Sequence, residues 1–232
     1  MRLLISVFIL WFQLTGSVFS QDNHRSPDRP FTVIVNGGLT LSNLSSSGFN
    51  IQDQLFGNLR QSFQSGADLE YSVNPYLKIR SGFQYASLGG KSEEQVQTDT
   101  QGRELGRIRV VEQLNYVEIP IQFKYLLAQR RYKPYILSGL TIGFLTSARR
   151  DLDSTIDGVS SVVDDDISDI RKSMALGLDF SLGVQIPLKP SLGLDIGGIY
   201  NLGLNNLIES ENEDLSLKLR SWRFLLGLYL AI

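Results

Sequence analysis

Nine charged residues occupy the polar positions of segments in which polar and apolar side chains alternate. They are Asp68, Glu70, Lys78, Arg80, Glu118, Lys124, Asp179, Asp195 and Arg223. Buried charges are stable only when they are paired and hydrogen-bonded. Because the set holds five acidic and four basic residues, near-complete pairing can be achieved. We predict a structural network of salt bridges; a gated pore or a path for protons is the alternative.

Groups that commonly catalyse covalent chemistry are scarce in this chain. It contains one histidine, His24, and no cysteine. Acyl transfer and hydrolysis normally need a nucleophile beside a base, most often histidine, and His24 lies in a polar segment near the N-terminus. Without cysteine, thiolate metal sites and disulfide bonds are excluded. We therefore predict a protein that is not an enzyme and uses no cofactor or metal; a lipid-modifying enzyme is the disfavoured alternative.

Acidic residues crowd the segment between positions 151 and 169. They are Asp151, Asp153, Asp157, Asp164, Asp165, Asp166 and Asp169. Oxygen-rich clusters can bind calcium, but the spacing lacks the ligand pattern of an EF-hand loop, and Arg149 and Arg150 lie beside it. We expect a solvated loop; a loop that contacts divalent ions bridging surface glycolipids is the alternative.

The N-terminus has the pattern of a secretory signal. Arg2 precedes an apolar run over residues 3–14, and small residues at Val18 and Ser20 form a cleavage site. The run is shorter than the roughly 20 residues that a membrane-spanning helix needs. The sequence therefore predicts export from the cytoplasm.

Three regions follow from this pattern. We predict a signal peptide over residues 1–20, a flexible leader over 21–30 and one β-barrel domain over 31–232.

The formal net charge is −2, and no basic stripe is interleaved with aromatic residues. Nucleic acid is therefore not a predicted partner.

The clearest structural signal is the alternation over residues 116–127. Six apolar side chains fall on one side: Val117, Ile119, Ile121, Phe123, Tyr125 and Leu127. Glu118 and Lys124 fall on the other. Successive side chains of a strand point to opposite faces, so this segment is a strand with one apolar and one charged face.

The same alternation defines eight predicted strands. They cover about 31–41, 62–73, 76–87, 116–127, 133–146, 173–186, 191–203 and a last segment ending at 232. In the last segment Leu217 and Leu219 fall in the opposite phase to Trp222, which predicts a bulge or a strand start near Arg220.

The connections alternate in length. Those after the second, fourth and sixth strands are short, and the others are long, at about 42–61, 88–115, 147–172 and 204–216. Bacterial outer-membrane barrels have short periplasmic turns and long external loops. The order predicts that both termini lie on the periplasmic side.

Alternation alone does not say which face points outward, because a soluble barrel or sandwich would bury the apolar face. One argument for an apolar exterior is that many small residues share the charged face: Gly66, Gly82, Gly139, Gly143, Ala175, Gly177, Gly183, Gly193, Gly197 and Gly227. Small residues leave room for long charged side chains in a narrow interior.

A second argument comes from aromatic residues near strand ends, as at lipid–water boundaries. They are Tyr71, Tyr85, Tyr125, Phe144, Tyr200 and Trp222. We predict an all-β protein, an eight-stranded antiparallel up-and-down transmembrane β-barrel in the cell outer membrane.

The fourth strand resembles a signature of the PorT-like outer-membrane β-barrel family, which is common in the Bacteroidetes. The matching residues are Tyr116-Val117-Glu118-Ile119-Pro120-Ile121 and Lys124-Tyr125. The resemblance implies an outer-membrane location and an eight-stranded barrel. The founding member is associated with type IX protein secretion, and most members have no assigned activity.

The leading functional hypothesis is a non-enzymatic barrel with a structural role or with surface contacts through long loops. An accessory role in protein secretion or transport is the alternative. The expected partners are outer-membrane lipid and lipopolysaccharide, the barrel-assembly machinery and, for the alternative, secretion-system proteins. The last strand ends in Ile232, whereas strands recognised for insertion often end in an aromatic residue.

Overall fold

The computed structural model describes residues 29–47, 58–92, 94–98, 101, 104–156, 159–208 and 216–232. The predicted signal peptide, most of the leader and His24 lie outside these ranges. Within them, no helix is long and apolar enough to cross a bilayer. The strands are β1 Phe31–Ser47, β2 Arg60–Ser72, β3 Leu77–Lys91, β4 Gln95–Thr98, β5 Glu104–Leu126, β6 Lys133–Ile156, β7 Val159–Asp166, β8 Met174–Pro187, β9 Leu192–Gly203 and β10 Ser216–Ala231. A 3-10 turn, Ser168–Ile170, follows β7.

Eight of these strands close into a ring. Each pairs antiparallel with the next in the order β1, β2, β3, β5, β6, β8, β9 and β10, and β10 pairs back with β1. The strands β4 and β7 are attached outside the ring, to β5 and β6. The predicted eight-stranded antiparallel up-and-down barrel is confirmed.

The exterior of the ring is apolar and its interior is polar. Phe83 and Leu182 expose 68% and 69% of their surface on the outside. Within residues 116–127, Phe123 is 58% exposed whereas Lys124 is fully buried. A water-soluble barrel would have the opposite arrangement, because its apolar face would form the core. The predicted assignment of the two faces is confirmed.

Stacked or tilted aromatic pairs lie on the exterior near both ends of the ring. We call the end that carries Phe31 and Ile232 the terminal rim (residues 29–31, 73–76, 127–132, 188–191 and 232) and the opposite end the distal rim. The pairs are Phe31–Tyr71 (5.3 Å between ring centroids) and Tyr76–Tyr125 (6.3 Å) at the terminal rim, and Phe63–Tyr85 (5.9 Å) and Tyr200–Trp222 (4.7 Å) towards the distal rim. Two such girdles bordering an apolar band of roughly 25 Å are the usual exterior of a membrane barrel.

The connections at the terminal rim are tight, as predicted. The Asn74 side-chain oxygen accepts hydrogen bonds from the backbone N–H groups of Tyr76 (2.8 Å) and Leu77 (2.7 Å). This local bond fixes the turn between β2 and β3, because an asparagine side chain can mimic a backbone acceptor. The Tyr76 carbonyl accepts from the Leu126 N–H (2.8 Å), so neighbouring turns are bonded to each other.

At the distal rim the strands are longer than the sequence indicated. The predicted loops 88–115 and 147–172 are largely strand, because β5 and β6 stay paired from Leu126↔Tyr135 to Gly106↔Ile156. The outer parts of β5 and β6 form with β4 and β7 a four-stranded projection, hereafter the distal sheet. Beyond the lipid-facing band, neither face of these strands is covered by hydrocarbon along its whole length. The alternation of apolar and polar residues that marks a strand is therefore lost there.

The irregularity predicted near Arg220 is wrong. The pairing of β10 with β1 runs without a shift from Ala231 to Ser216. Leu217 and Leu219 change phase because they point inward at the distal end, where the interior is apolar. They belong to a buried cluster of Leu44, Ala86, Leu88, Leu114, Tyr116, Ala148, Ile167, Leu207, Leu217 and Leu219.

Candidate functional site: the charge network inside the barrel

The structure places all nine predicted charged residues in the barrel interior. They come from six strands: β2, β3, β5, β8, β9 and β10. Eight of the nine are buried, and Lys78 is half-buried near the terminal rim. Because successive side chains of a strand alternate in direction, these residues all point inward. Closure of the ring brings them within hydrogen-bonding distance of one another.

Lys124 is the centre of the cluster nearest the terminal rim. Its Nζ is 2.7 Å from Glu70 Oε1 and 2.7 Å from Asp195 Oδ2. The Tyr135 hydroxyl donates to Asp195 Oδ1 (2.7 Å), and the Lys124 ammonium lies 3.9 Å from the centre of the Tyr135 ring. Lys78 reaches the second oxygen of Glu70 at 3.1 Å. One buried ammonium therefore holds two carboxylates from β2 and β9, strands that are not neighbours in the ring.

A second cluster is centred on Asp68. Its Oδ2 accepts from Arg80 Nε (3.0 Å) and Nη2 (2.6 Å) and from Asn36 Nδ2 (2.6 Å). Its Oδ1 accepts from Gln84 Nε2 (2.9 Å). Arg80 Nη1 also lies 4.0 Å from Glu70, which links this cluster to that of Lys124. The carboxylate of Asp68 is thus fully surrounded by donors.

The third cluster lies towards the distal rim. Arg223 binds Glu118 with two nitrogens, one of them Nη2 at 2.9 Å from Oε1. Asp179 accepts from Gln122 Nε2 (2.7 Å), from Asn201 Nδ2 (2.6 Å) and from the Thr141 hydroxyl. Among the described residues, Asp179 is the one member of the nine that forms no salt bridge. Neutral donors replace a basic partner there.

Sequence reasoning missed a further ion group near the distal end. Glu112 on β5 is fully buried and accepts from Arg150 on β6 (Nη2, 2.6 Å) and from Arg171 after the 3-10 turn (Nη2, 2.6 Å to Oε2). Glu112 shares the phase of Glu118, so extending the fourth predicted strand backwards would have found it. No sequence pattern could have found Arg171, because it reaches Glu112 from a connection that folds back over the barrel.

The neutral amide side chains of the interior were also missed. Gln64 accepts from Arg223 (3.1 Å), and Gln185 donates to Asp195 (2.9 Å). Both occupy inward positions of predicted strands, and only their lack of charge left them out of the predicted set. They make hydrogen bonds to carboxylate and guanidinium groups whose hydrogen-bonding capacity the ion pairs do not fill. A buried polar network is stable only when all its groups are hydrogen-bonded.

Small residues make room for the network, as the sequence predicted. The Tyr135 ring lies over the backbone of β8 and β9 at Gly183 and Gly197. A Cβ atom at Gly183 would lie 2.3 Å from Tyr135 Cζ and 2.6 Å from the Ile196 carbonyl oxygen. A side chain there would displace the tyrosine that donates to Asp195.

Replacing Gly183 with alanine should therefore destabilise the barrel by about 1–3 kcal/mol, the usual cost of overpacking. The free energy of unfolding, measured by denaturant titration in lipid vesicles, tests this. Gly198→Ala is the matched control, because its Cβ would meet only ring atoms of Phe224 at 3.9 Å. Equal stability of the two variants would contradict the close approach of Tyr135 to Gly183.

The acidic segment was predicted to be a solvated loop; Asp164, Asp165, Asp166 and Asp169 are indeed exposed, but much of the segment is strand. Asp151 and Asp153 lie on β6 and residues 164–166 on β7, where they pair as a hairpin. Arg149 lies 3.9 Å from Asp164, so part of the acidic charge is balanced within the distal sheet. Asp157 lies outside the described residues. Among those described, no three His, Cys, Asp or Glu side chains are grouped to hold a metal ion.

One exposed carboxylate of this segment has a local structural role. The Ser168 backbone N–H donates to Asp166 Oδ1 at 2.9 Å. Hydrogen bonds from the side chain and backbone of Ser168 lower the pKa of the Asp166 carboxyl below its usual value. The bond fixes the reversal that turns the chain from β7 back towards Arg171.

The arrangement fills the interior with fixed charges and apolar side chains. The cavity beside Glu118, Thr141 and Asn201 measures about 10 Å³, roughly the space of one water molecule. Eight strands enclose an interior just wide enough for side chains to fill. The network can therefore stabilise the barrel.

Comparison with protein families identifies the chain. The model of the family described as outer membrane protein beta-barrel domain matches residues 19–209. The chain belongs to this family. Comparison with the curated proteins finds no significant match.

Three solved structures of bacterial proteins are similar to this family member. Neisserial surface protein A is similar at 16% identity with a TM-score of 0.48, covering 87% of this chain and 97% of that one. Outer membrane protein W of Escherichia coli is similar at 13% identity with a TM-score of 0.46, covering 89% and 100%. Ail, the attachment invasion locus protein of Yersinia pestis, is similar at 13% identity with a TM-score of 0.38, covering 87% and 99%.

Membership of the outer membrane protein beta-barrel domain family agrees with the exterior of the barrel. The family places the protein in the outer membrane, where hydrocarbon chains cover side chains such as Phe83 and Leu182. The charge network is then enclosed by the ring and lies at the depth of the lipid bilayer.

Proposed function

We propose that this protein is a non-enzymatic outer-membrane barrel whose rigid body carries a surface-contact structure, the distal sheet. The observation that carries the proposal is the projection of β4–β7 beyond a filled barrel. The interior offers paired charges and a cavity of about 10 Å³. The distal sheet instead exposes charged side chains of both signs, including Arg109 with Glu94 and Arg149 with Asp164.

We infer that the distal sheet faces the cell exterior and the terminal rim faces the periplasm. The support is the difference between the two ends, since outer-membrane barrels have short periplasmic turns and longer external connections. Single cysteines at Arg149 and at Arg131 test this in a chain that has no cysteine of its own. A membrane-impermeant maleimide added to intact cells should label Arg149→Cys and leave Arg131→Cys unlabelled. The reverse pattern would overturn the orientation.

The functional role is tested by trimming the distal sheet. Replacing residues 93–109, after β3 and into β5, and residues 152–163, from β6 into β7, by short turns removes most of the distal sheet. The ring and the buried ion group of Glu112, Arg150 and Arg171 are kept. The trimmed protein should remain folded, seen as faster gel migration unheated than boiled. It should fail to restore envelope integrity in a deletion strain, measured by leakage of a periplasmic enzyme and by detergent sensitivity. Full restoration by the trimmed protein would show that the distal sheet is not the working part.

An accessory role in protein secretion is the second candidate, and the PorT-like segment at residues 116–125 motivates it. In the structure, Glu118 and Lys124 of this segment form buried ion pairs, whereas Val117 and Ile121 face outward. These positions have structural uses in the barrel, so the segment by itself supports a shared architecture more than a shared activity. Retention of secreted proteins inside the deletion strain would favour the secretion role, and unchanged secretion would exclude it.

A further inference from the structure

The two ends of the barrel differ in their exposed charges. Among the described residues of the terminal rim, four exposed side chains are charged, and all four are basic: Arg29, Arg130, Arg131 and Lys189. The described residues of the distal sheet carry both signs, and several form ion pairs with each other. A rim of one sign attracts a partner of the opposite sign.

The basic side chains of the terminal rim lack carboxylate partners among the described residues. Arg29 donates to the Ser191 hydroxyl, and the Arg131 guanidinium lies 5.9 Å from the centre of the Tyr132 ring. Lys133, the next basic residue inward, is close enough to Lys78 for their like charges to repel each other. In the interior, by contrast, Lys124, Arg80 and Arg223 are each held by a carboxylate. The exposed charges therefore do not contribute to the internal network.

Their position relative to the aromatic pairs indicates what covers them. The pairs Phe31–Tyr71 and Tyr76–Tyr125 mark the edge of the apolar exterior at this rim. Tyrosine rings prefer the boundary between hydrocarbon and headgroups. Basic residues immediately beyond that boundary lie at the depth of the lipid phosphates, and long side chains can bend back to reach them.

We propose that the terminal rim binds the phosphate headgroups of anionic phospholipids in the leaflet that meets it. The four side chains come from the segment before β1 and from the β5–β6 and β8–β9 turns. Arg29 reaches Ser191 in the same turn as Lys189, so the charges follow the part of the rim that runs from β5 to β1. Lipid headgroups fit basic side chains that follow the edge of the apolar exterior, because the phosphates lie just beyond the aromatic pairs there. The proposal rests on the inferred orientation, with the terminal rim towards the periplasm, and is independent of the surface role of the distal sheet.

The test is a lipid titration of the full chain purified in detergent. Phosphatidylglycerol is titrated in, native mass spectrometry measures the apparent Kd, and zwitterionic phosphatidylethanolamine serves as the reference lipid. The wild type should bind phosphatidylglycerol more tightly than phosphatidylethanolamine. The variant Arg130→Gln/Arg131→Gln/Lys189→Gln should raise the Kd for phosphatidylglycerol at least tenfold, because each basic residue near an anionic surface contributes a factor of about five.

A matched control removes the same charge from the other end. Lys172, Lys218 and Arg220 are exposed towards the distal rim, and their replacement by glutamine should leave the Kd within about twofold. The difference between unheated and boiled gel migration verifies that both variants are folded; if the triple variant fails to fold, Arg130→Gln/Arg131→Gln replaces it. Equal weakening by both variants would show a net-charge effect and overturn the proposal. No preference of the wild type for phosphatidylglycerol would also overturn it, leaving an acidic protein as the partner to seek.

Discussion

Replacing Lys124 with methionine should lower the free energy of unfolding by about 3–5 kcal/mol, the largest single effect we expect in this protein. The substitution keeps most of the side-chain volume and removes the ammonium that lies 2.7 Å from both Glu70 and Asp195. Two buried carboxylates then lose their shared counter-charge. Denaturant titration of the protein folded into lipid vesicles measures the loss.

Two further variants show whether the effect arises from uncompensated charge. Lys189→Met removes an exposed ammonium at the terminal rim and, in vesicles of zwitterionic phosphatidylcholine, should cost less than about 0.5 kcal/mol. The triple variant Lys124→Met/Glu70→Gln/Asp195→Asn removes all three charges and should recover part of the stability, because neutral groups of similar shape avoid the cost of an unpaired buried charge. If Lys124→Met cost no more than Lys189→Met, the buried network would not be a source of stability.

Replacing Ile121 with arginine should cost about 2–4 kcal/mol, because it places a charge on the outer surface near the middle of the apolar band. Ile121 is 47% exposed in the isolated chain and lies midway between Val117 and Tyr125 on β5. In water, an arginine at so exposed a position would be nearly neutral in energy. A loss of this size therefore indicates that hydrocarbon surrounds the barrel at this position. Denaturant titrations of the protein in vesicles measure the free energy of unfolding.

The control for this prediction is an arginine at the boundary. Tyr132 is 55% exposed in the β5–β6 turn at the terminal rim, where Tyr132→Arg should cost at most about 1 kcal/mol. A dependence on depth distinguishes lipid contact from general disruption of the fold. Equal costs at Ile121 and Tyr132 would mean that the apolar exterior does not meet a hydrocarbon layer.

Ile121 and Lys124 are three residues apart, and these predictions place them in opposite surroundings. The lipid-facing side of β5 loses stability when it gains a charge, and the interior side loses stability when a charge is removed. Both effects have the same origin, which is that bulk water is excluded from either side of the strand. A charge is stable there only with a fixed partner.

The alternation of side chains allowed most of the barrel to be predicted from sequence. Strand number, antiparallel order, the outward face and the inward position of the nine charged residues all follow from a period of two and from the spacing of turns. The prediction failed where that period is not imposed by lipid. The outer halves of β5 and β6 were assigned to loops, and Leu217 and Leu219 suggested an irregularity, although β10 is regular.

The sequence by itself thus determined that this chain is a membrane barrel. Hydrocarbon outside requires apolar side chains and the paired network inside requires polar ones, so the two types alternate along each strand. Only the tertiary structure decided which charges meet. Lys124 joins Glu70 and Asp195 from residues 54 and 71 positions away, and Arg171 reaches Glu112 across 59 positions. The local pattern determines whether a side chain points inward or outward from its strand. Its ion-pair partner depends on how the ring closes and how the connections fold back. Both are determined by contacts between residues distant in sequence.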